Sequence, residues 1–264
     1  MPTVKVGDIN MYYEIHGKGE PLLMIAGLGL DLTTWQFQIP EFSKKYQVVA
    51  FDNRGAGRTD APDEPYSIRM MADDAVGLMD ALGIGEAHIL GGSMGGCIAQ
   101  KIAIERPGRA KSLILAATTA ANYPVSMHIV SAWFAAMTEG ISSKTLAKLQ
   151  LPYFVTSQLF EKPEMVTMWV DAMVANPYRR PAYAYGRQLA TEHDARGQLK
   201  QTTSPTLVLV GKEDIIFPVK LSEELAALIP KAKLVVLEEG GHGFWLEIPD
   251  KFNQAVLDFL AQIG

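Results

Sequence analysis

Ser93 stands in the run Gly91-Gly92-Ser93-Met94-Gly95-Gly96, between an apolar stretch and a helical pattern. The run satisfies Gly-x-Ser-x-Gly, in which small residues relieve a sharp strand-to-helix turn and hold the serine hydroxyl exposed at its tip. The helix beyond the turn supplies free N–H groups and a field that favours developing negative charge. Such a turn suits attack by the hydroxyl on a carbonyl carbon. A glycine-rich turn with an idle serine has the same pattern, and it is the strand before and the helix after that favour the chemical reading.

A serine hydroxyl is a weak nucleophile and needs a base that a third group orients. Of the five histidines, His242 lies in Glu239-Gly240-Gly241-His242-Gly243-Phe244, just beyond the last apolar run, in a loop free to reach over a sheet edge. His88 falls inside a strand pattern, His16 follows the first strand, and His128 and His193 lie in a helical stretch; structural roles are expected for these four. Asp214, in Gly211-Lys212-Glu213-Asp214, follows another apolar run and is the expected partner of His242, with Glu213 as the fallback. There it would hold the imidazole tautomer and stabilise the imidazolium. The competing loop Ala117-Thr118-Thr119-Ala120 has no carboxylate, and the order Ser, acid, His is the one that accompanies this kind of elbow. Two backbone N–H groups would complete an oxyanion site, that of Met94 and that of Leu28 in Ala26-Gly27-Leu28-Gly29-Leu30-Asp31, where glycines let the backbone approach a ligand.

These residues need a frame. Ile9 to Ile15 alternates as a half-exposed strand does. Residues 21–26, 47–52, 87–91, 111–116, 205–210 and 233–237 are near-continuous apolar runs, the signature of strands buried on both faces of a parallel sheet. Helical patterns lie between them, at Ser67 to Leu82, Gly95 to Arg106, Leu221 to Ile229 and Lys251 to Ile263. Strands alternating with helices predict an α/β fold with a mostly parallel sheet flanked by helices. From about Thr119 to Gln201 the rhythm breaks into Met-, Ala- and aromatic-rich helical sequence punctuated by Pro124, Pro152, Pro163, Pro177 and Pro181. The expected organisation is a core of residues 1–118 and 202–264 with a helical cap inserted at 119–201.

The composition narrows the function classes. Apolar residues make 48% of the 264 and charged residues 20%, with a net charge of −5, which offers no basic face for nucleic acid or an acidic membrane. The single cysteine, Cys97, excludes an intrachain disulfide and a thiol-only metal cluster, and it is expected to pack in the core. No secretory leader or membrane-length apolar run is visible, so a cytoplasmic location is expected. No dinucleotide signature, phosphate loop or metal cluster is present, and no cofactor or metal is called for. The expected partner is a small-molecule substrate, and a homodimer is left open.

The elbow Gly91 to Gly96, the segment Asp52-Asn53-Arg54-Gly55-Ala56-Gly57-Arg58-Thr59, Gly211 to Asp214 and Gly241-His242 together resemble the α/β-hydrolase family over nearly the whole chain. The resemblance implies an eight-stranded sheet and a bracing role for Asp52 to Thr59 behind the active site. Relatives carry His-Gly where this chain has Ala26-Gly27, and that histidine serves loop architecture. Within the family the chain looks most like the enol-lactonase and carboxylesterase branch, including 3-oxoadipate enol-lactonases. It is also similar to hydrolases that cleave C–C bonds in ring-fission products.

The cap is rich in methionine and aromatic side chains, as an adaptable apolar pocket would be. Gly29, Trp133, Met137, Tyr153, Phe217 and Phe244 are the expected substrate contacts. Arg179, Arg180, Arg187 and His193 have the chemistry to bind a substrate carboxylate, but solvated positions on the cap surface are expected for them. The reading is a serine hydrolase that cleaves a small, largely apolar ester or lactone through an acyl-enzyme. Rival readings are C–C hydrolysis by the same residues, a peroxide-dependent side activity, and a ligand-sensing module with little turnover.

Overall fold

The computed structural model describes residues 2–178 and 181–263. The chain runs β1 (Thr3–Val6), β2 (Ile9–His16), β3 (Glu20–Ile25), α1 (Ile39–Phe42), β4 (Tyr46–Phe51), α2 (Ile68–Ala81), β5 (Ala87–Gly92), α3 (Met94–Glu105) and β6 (Ala110–Ala116). Five helices come before the next strand: α4 (Pro124–Thr138), α5 (Ser143–Phe154), α6 (Ser157–Phe160), α7 (Pro163–Ala175) and α8 (Ala182–Leu189). Then follow β7 (Thr206–Gly211), α9 (Val219–Leu228), β8 (Lys233–Leu237), α10 (Phe244–Glu247) and α11 (Pro249–Leu260).

Among the described residues eight strands form one sheet, in the order β1-β2-β4-β3-β5-β6-β7-β8. β2 is antiparallel to β1 and β4, and every other neighbouring pair is parallel. Successive side chains of a strand point to opposite faces, and here both faces are covered. Along β3, Leu23 and Ile25 pack with Met71 and Ala75 of α2 and Ile98 and Ile102 of α3. Leu22 and Met24 pack with Phe42 of α1 and with Phe252 and Val256 of α11. Burying both rows is why these runs show no alternation.

The strand β1 was not anticipated. Val6 pairs with Ile9, so Gly7-Asp8 is a two-residue hairpin loop, with Gly7 at φ +53° as such turns favour. The short helices α1 and α10 were not anticipated either.

The helices α4 to α8 leave the sheet after β6 and return before β7, and these two strands are neighbours. The ends of the excursion are joined by hydrogen bonds. Asn122 N donates to the His193 carbonyl and Ala195 N to the Ala120 carbonyl, each at 2.8 Å, around a bridge between Ala121 and Asp194. Pro124 and Pro163 begin α4 and α7, where a missing N–H costs nothing, whereas Pro152 lies inside α5. Among the described residues no helix is long and apolar enough to cross a membrane.

Candidate active site

Ser93 joins β5 to α3 with φ +55° and ψ −123°, a backbone that costs a non-glycine residue about 1–3 kcal/mol. Its surroundings hold it there. Ser93 N donates to the Ala116 carbonyl at 2.9 Å, and its own carbonyl accepts from Gly96 N at 2.9 Å and Thr118 Oγ1 at 2.8 Å. A Cβ at Gly91 would overlap the Gly95 carbonyl oxygen, and one at Gly95 would overlap that of Ile25. The glycines of the motif are therefore demanded by close backbone approach, and the serine side chain is left at the tip.

His242 Nε2 lies 3.0 Å from Ser93 Oγ, and His242 Nδ1 lies 2.9 Å from Asp214 Oδ2. Both His242 and Asp214 are buried. Asp214 Oδ1 accepts from the N–H groups of Ile216 at 2.9 Å and Phe217 at 2.8 Å, which fixes the carboxylate. A carboxylate facing Nδ1 places the proton on that nitrogen and leaves Nε2 to accept from the serine hydroxyl. Phe154, Phe217 and Trp245 meet the imidazole edge-on, with ring centroids 5.4–6.1 Å away, and shield it from water. Glu213 points into solvent.

The N–H groups of Leu28 and Met94 have no hydrogen-bond partner among the described residues. Both residues line the same cavity as Ser93 and His242. The loop carrying Leu28 is braced from Asp52 to Thr59. Asn53 Nδ2 donates to the Ala26 carbonyl at 2.9 Å, and Asp52 Oδ1 accepts from Leu32 N at 2.8 Å. Burial pushes the Asp52 carboxyl up, against hydrogen bonds from Leu32 and Arg58 that pull it down. Arg54 is fixed between Asp8 and Asp74 at 2.8 Å from each.

One cavity adjoins the serine, and a second shares part of its wall. The smaller, about 90 Å³, runs from Ser93 and His242 to Thr119, Asn122, Thr191 and His193. The larger, about 770 Å³, lies between α4, α5, α7 and the loop after β3, against Met137, Met165, Met168 and Met173. Leu28, Leu30, Trp133, Phe154 and Tyr185 border both.

Of the expected substrate contacts, Trp133 borders both cavities, Phe217 the smaller, and Gly29 and Met137 the larger. Tyr153 and Phe244 are placed differently. Tyr153 packs edge-on against Trp133 at 5.5 Å, and Phe244 is fully buried against Trp245 and Phe252; neither borders a cavity described above. His193 also departs from expectation. It is 6% exposed, 3.2 Å from Gln100 Oε1, and in the cavity wall with Cys97, because its backbone belongs to the stem of the helical excursion. Arg187 pairs with Asp63 at the surface, while Arg179 and Arg180 lie outside the described residues. His16 pairs with Glu14, His128 is exposed, and His88 is buried between Ser112 and Glu20. Among the described residues no three His, Cys, Asp or Glu side chains cluster as metal ligands.

Two polar side chains at the site were missed by sequence reasoning. Glu247 accepts from Gly241 N at 2.9 Å through Oε2, and from Thr156 N and Oγ1 at 2.8 and 2.7 Å through Oε1. Gly243 N donates to the Phe154 carbonyl at 2.7 Å, so the loop bearing His242 is stitched to the end of α5. Gln188 of α8 accepts from Gly29 N at 2.8 Å.

RutD of Azorhizobium caulinodans, which bears a provisional name as a carbamate hydrolase, is 30% identical over 279 residues, covering 100% of this chain and 99% of its own. A 2-hydroxymuconate semialdehyde hydrolase of Pseudomonas sp. strain CF600 is 30% identical, with 93% and 88% covered. Among solved structures, the enol-lactonase from Burkholderia xenovorans LB400 superposes with a TM-score of 0.86 at 28% identity, over 98% of this chain and 100% of the other. Residues 20–248 match the family model described as the alpha/beta hydrolase fold, and the chain belongs to the α/β-hydrolase family.

Proposed function

We propose that this hydrolase cleaves esters or lactones by two-step acyl transfer, with Ser93 as nucleophile. The observation that carries the reading is the unbroken hydrogen-bonded line from Asp214 through His242 to Ser93 Oγ. As Ser93 Oγ bonds to the carbonyl carbon, its proton passes to His242 Nε2. The imidazolium is held by Asp214 and then gives that proton to the leaving alkoxide. Water attacks the acyl-enzyme with His242 again as base, releasing the acid and restoring Ser93. The N–H groups of Leu28 and Met94 hold the oxyanion in both steps, and a single such donor is worth about 10²–10³ in kcat.

The helices from residue 119 to 201 act as a cap that sets substrate shape. A chamber of about 90 Å³ is smaller than the ~150 Å³ that holds benzene, so it suits a short arm with a polar group. The 770 Å³ chamber, with four methionines in its wall, suits a long apolar arm. The likeness to the enol-lactonase supports an ester or lactone bond. The likeness to the 2-hydroxymuconate semialdehyde hydrolase favours a second reading, C–C cleavage by the same residues.

The test is a panel of chromogenic esters, lactones, carbamates and a vinylogous diketone, run on wild type and Ser93→Ala. Turnover of esters or lactones that disappears in Ser93→Ala is expected. Equal rates in the two proteins refute the nucleophile, and turnover of the diketone alone selects the second reading.

A further inference from the structure

We propose that Gln188 is a positioning residue for the oxyanion site, so that seating of α8 and assembly of that site are one event. The inference rests on the reading of Ser93, Leu28 and Met94 given above. Gln188 lies in the last turn of α8 and is only 1% exposed. Both ends of its amide are used on the core. Oε1 accepts from Gly29 N at 2.8 Å, and Nε2 donates to the Arg54 carbonyl at 2.7 Å. Tyr185, three residues earlier and so on the same helix face, rests on Gly29, where a Cβ would meet its ring at 2.7 Å.

Gly29 is the third residue of a turn that Leu30 N closes onto the Gly27 carbonyl at 3.2 Å. Its φ of +69° is the value a type II turn requires there. Types I and II differ by a rotation of the middle peptide, about 150° in ψ of the second residue and about 170° in φ of the third. Only one orientation offers Gly29 N–H to Gln188. The core ties the loop before and after the turn, at Ala26 and Leu32, and the tie at its tip comes from α8. A turn released at the tip exchanges between the two forms by rotation about the Leu28 ψ bond, with small compensating shifts in the Gly27–Leu28 peptide that keep the loop closed. That peptide bears the Leu28 N–H, which must sit about 2.7–3.1 Å from the oxyanion. Misplacement by about 1 Å can cost 10²-fold.

The experiment follows the second-order rate at which a fluorophosphonate labels Ser93, read by intact mass, because this phosphonylation needs the oxyanion site but no identified substrate. Gln188→Met keeps the volume and removes both bonds; labelling about 10–100-fold slower is expected. Gln188→Glu has the shape of glutamine and makes both bonds only while its buried carboxyl is protonated. Relative to wild type at the same pH, its labelling is expected to recover as pH falls from 8 to 6. Rates are taken per folded protein, read by circular dichroism at each pH, so that unfolding driven by the buried charge does not mimic this recovery. Labelling of folded Gln188→Met within threefold of wild type, or a Gln188→Glu rate ratio that ignores pH, overturns the inference. Should Gln188→Met fail to fold, the two pH values of Gln188→Glu decide alone. A wild type that takes no label at Ser93 overturns the proposed function and this inference with it, whereas equal labelling of both proteins overturns the inference only.

Discussion

Replacing Glu247 by alanine removes one carboxylate from three donors, Gly241 N, Thr156 N and Thr156 Oγ1, at 2.7–2.9 Å. Gly241 and Thr156 are buried, and a buried donor left without a partner costs about 1–3 kcal/mol. Taking the low end for each, because Glu247 is partly exposed and water can replace it, gives about 3 kcal/mol. For a domain of this size each kcal/mol moves Tm by about 2–4 °C, so a fall of about 6–12 °C is expected by scanning calorimetry. Glu247→Gln discriminates the mechanism. Its amide oxygen can serve Thr156, but its NH2 then faces the Gly241 N–H, donor against donor. One donor is then left unpaired in place of three, so a fall of about 2–4 °C is expected, and kcat is expected to fall about tenfold because the loop holding His242 loosens. A Glu247→Gln protein with Tm within 1 °C and kcat within twofold of wild type would refute the reasoning, since the carboxylate would then be an ordinary surface charge.

Gly95→Ala is expected to abolish soluble expression or lower Tm sharply, since its Cβ meets the Ile25 backbone, whereas Gly108→Ala, with nothing within 4 Å, is expected to leave Tm unchanged. Burial lowers the pKa of His88 below its ordinary 6.5, against a bond from Glu20 that raises it. The unfolded chain then takes up the proton first, so stability is full above about pH 6.5 and falls as pH drops through that value toward the folded pKa. Denaturant titrations at pH 7.5 and 5.5 check this, and His88→Asn is expected to show the smaller loss between them.

What could be read from the sequence was local. The apolar runs identified the central strands because burial on both faces leaves no alternation to confuse. Ser93, Asp214 and His242 were legible as neighbours because each sits in a short turn just past a strand, and parallel strands deliver such turns to one edge of the sheet. The hairpin before Ile9 was missed, because the four residues of Thr3–Val6 are too few to register as a strand. Tyr153 and Phe244 show the limit. Both are aromatic, and Phe244 is two residues from His242, yet the rotation of a helix decides whether a ring meets the cavity or the core. Gln188 and His193 left no local signal, since their partners lie 159 and 93 residues away, and the Thr156 that Glu247 ties to the loop lies 91 residues away.

The stem at Ala120–Asn122 and His193–Ala195 leaves and rejoins the sheet between adjacent strands, so the helical excursion is topologically a graft. Exchanging it for another would disturb no strand register. Such a transplant nonetheless has to bring its own chemistry to the core, including an acceptor for Gly29 N–H and donors for the Glu247 carboxylate. Modularity in this molecule is therefore conditional: the backbone permits exchange of the excursion, while side-chain contacts at its base check what is exchanged.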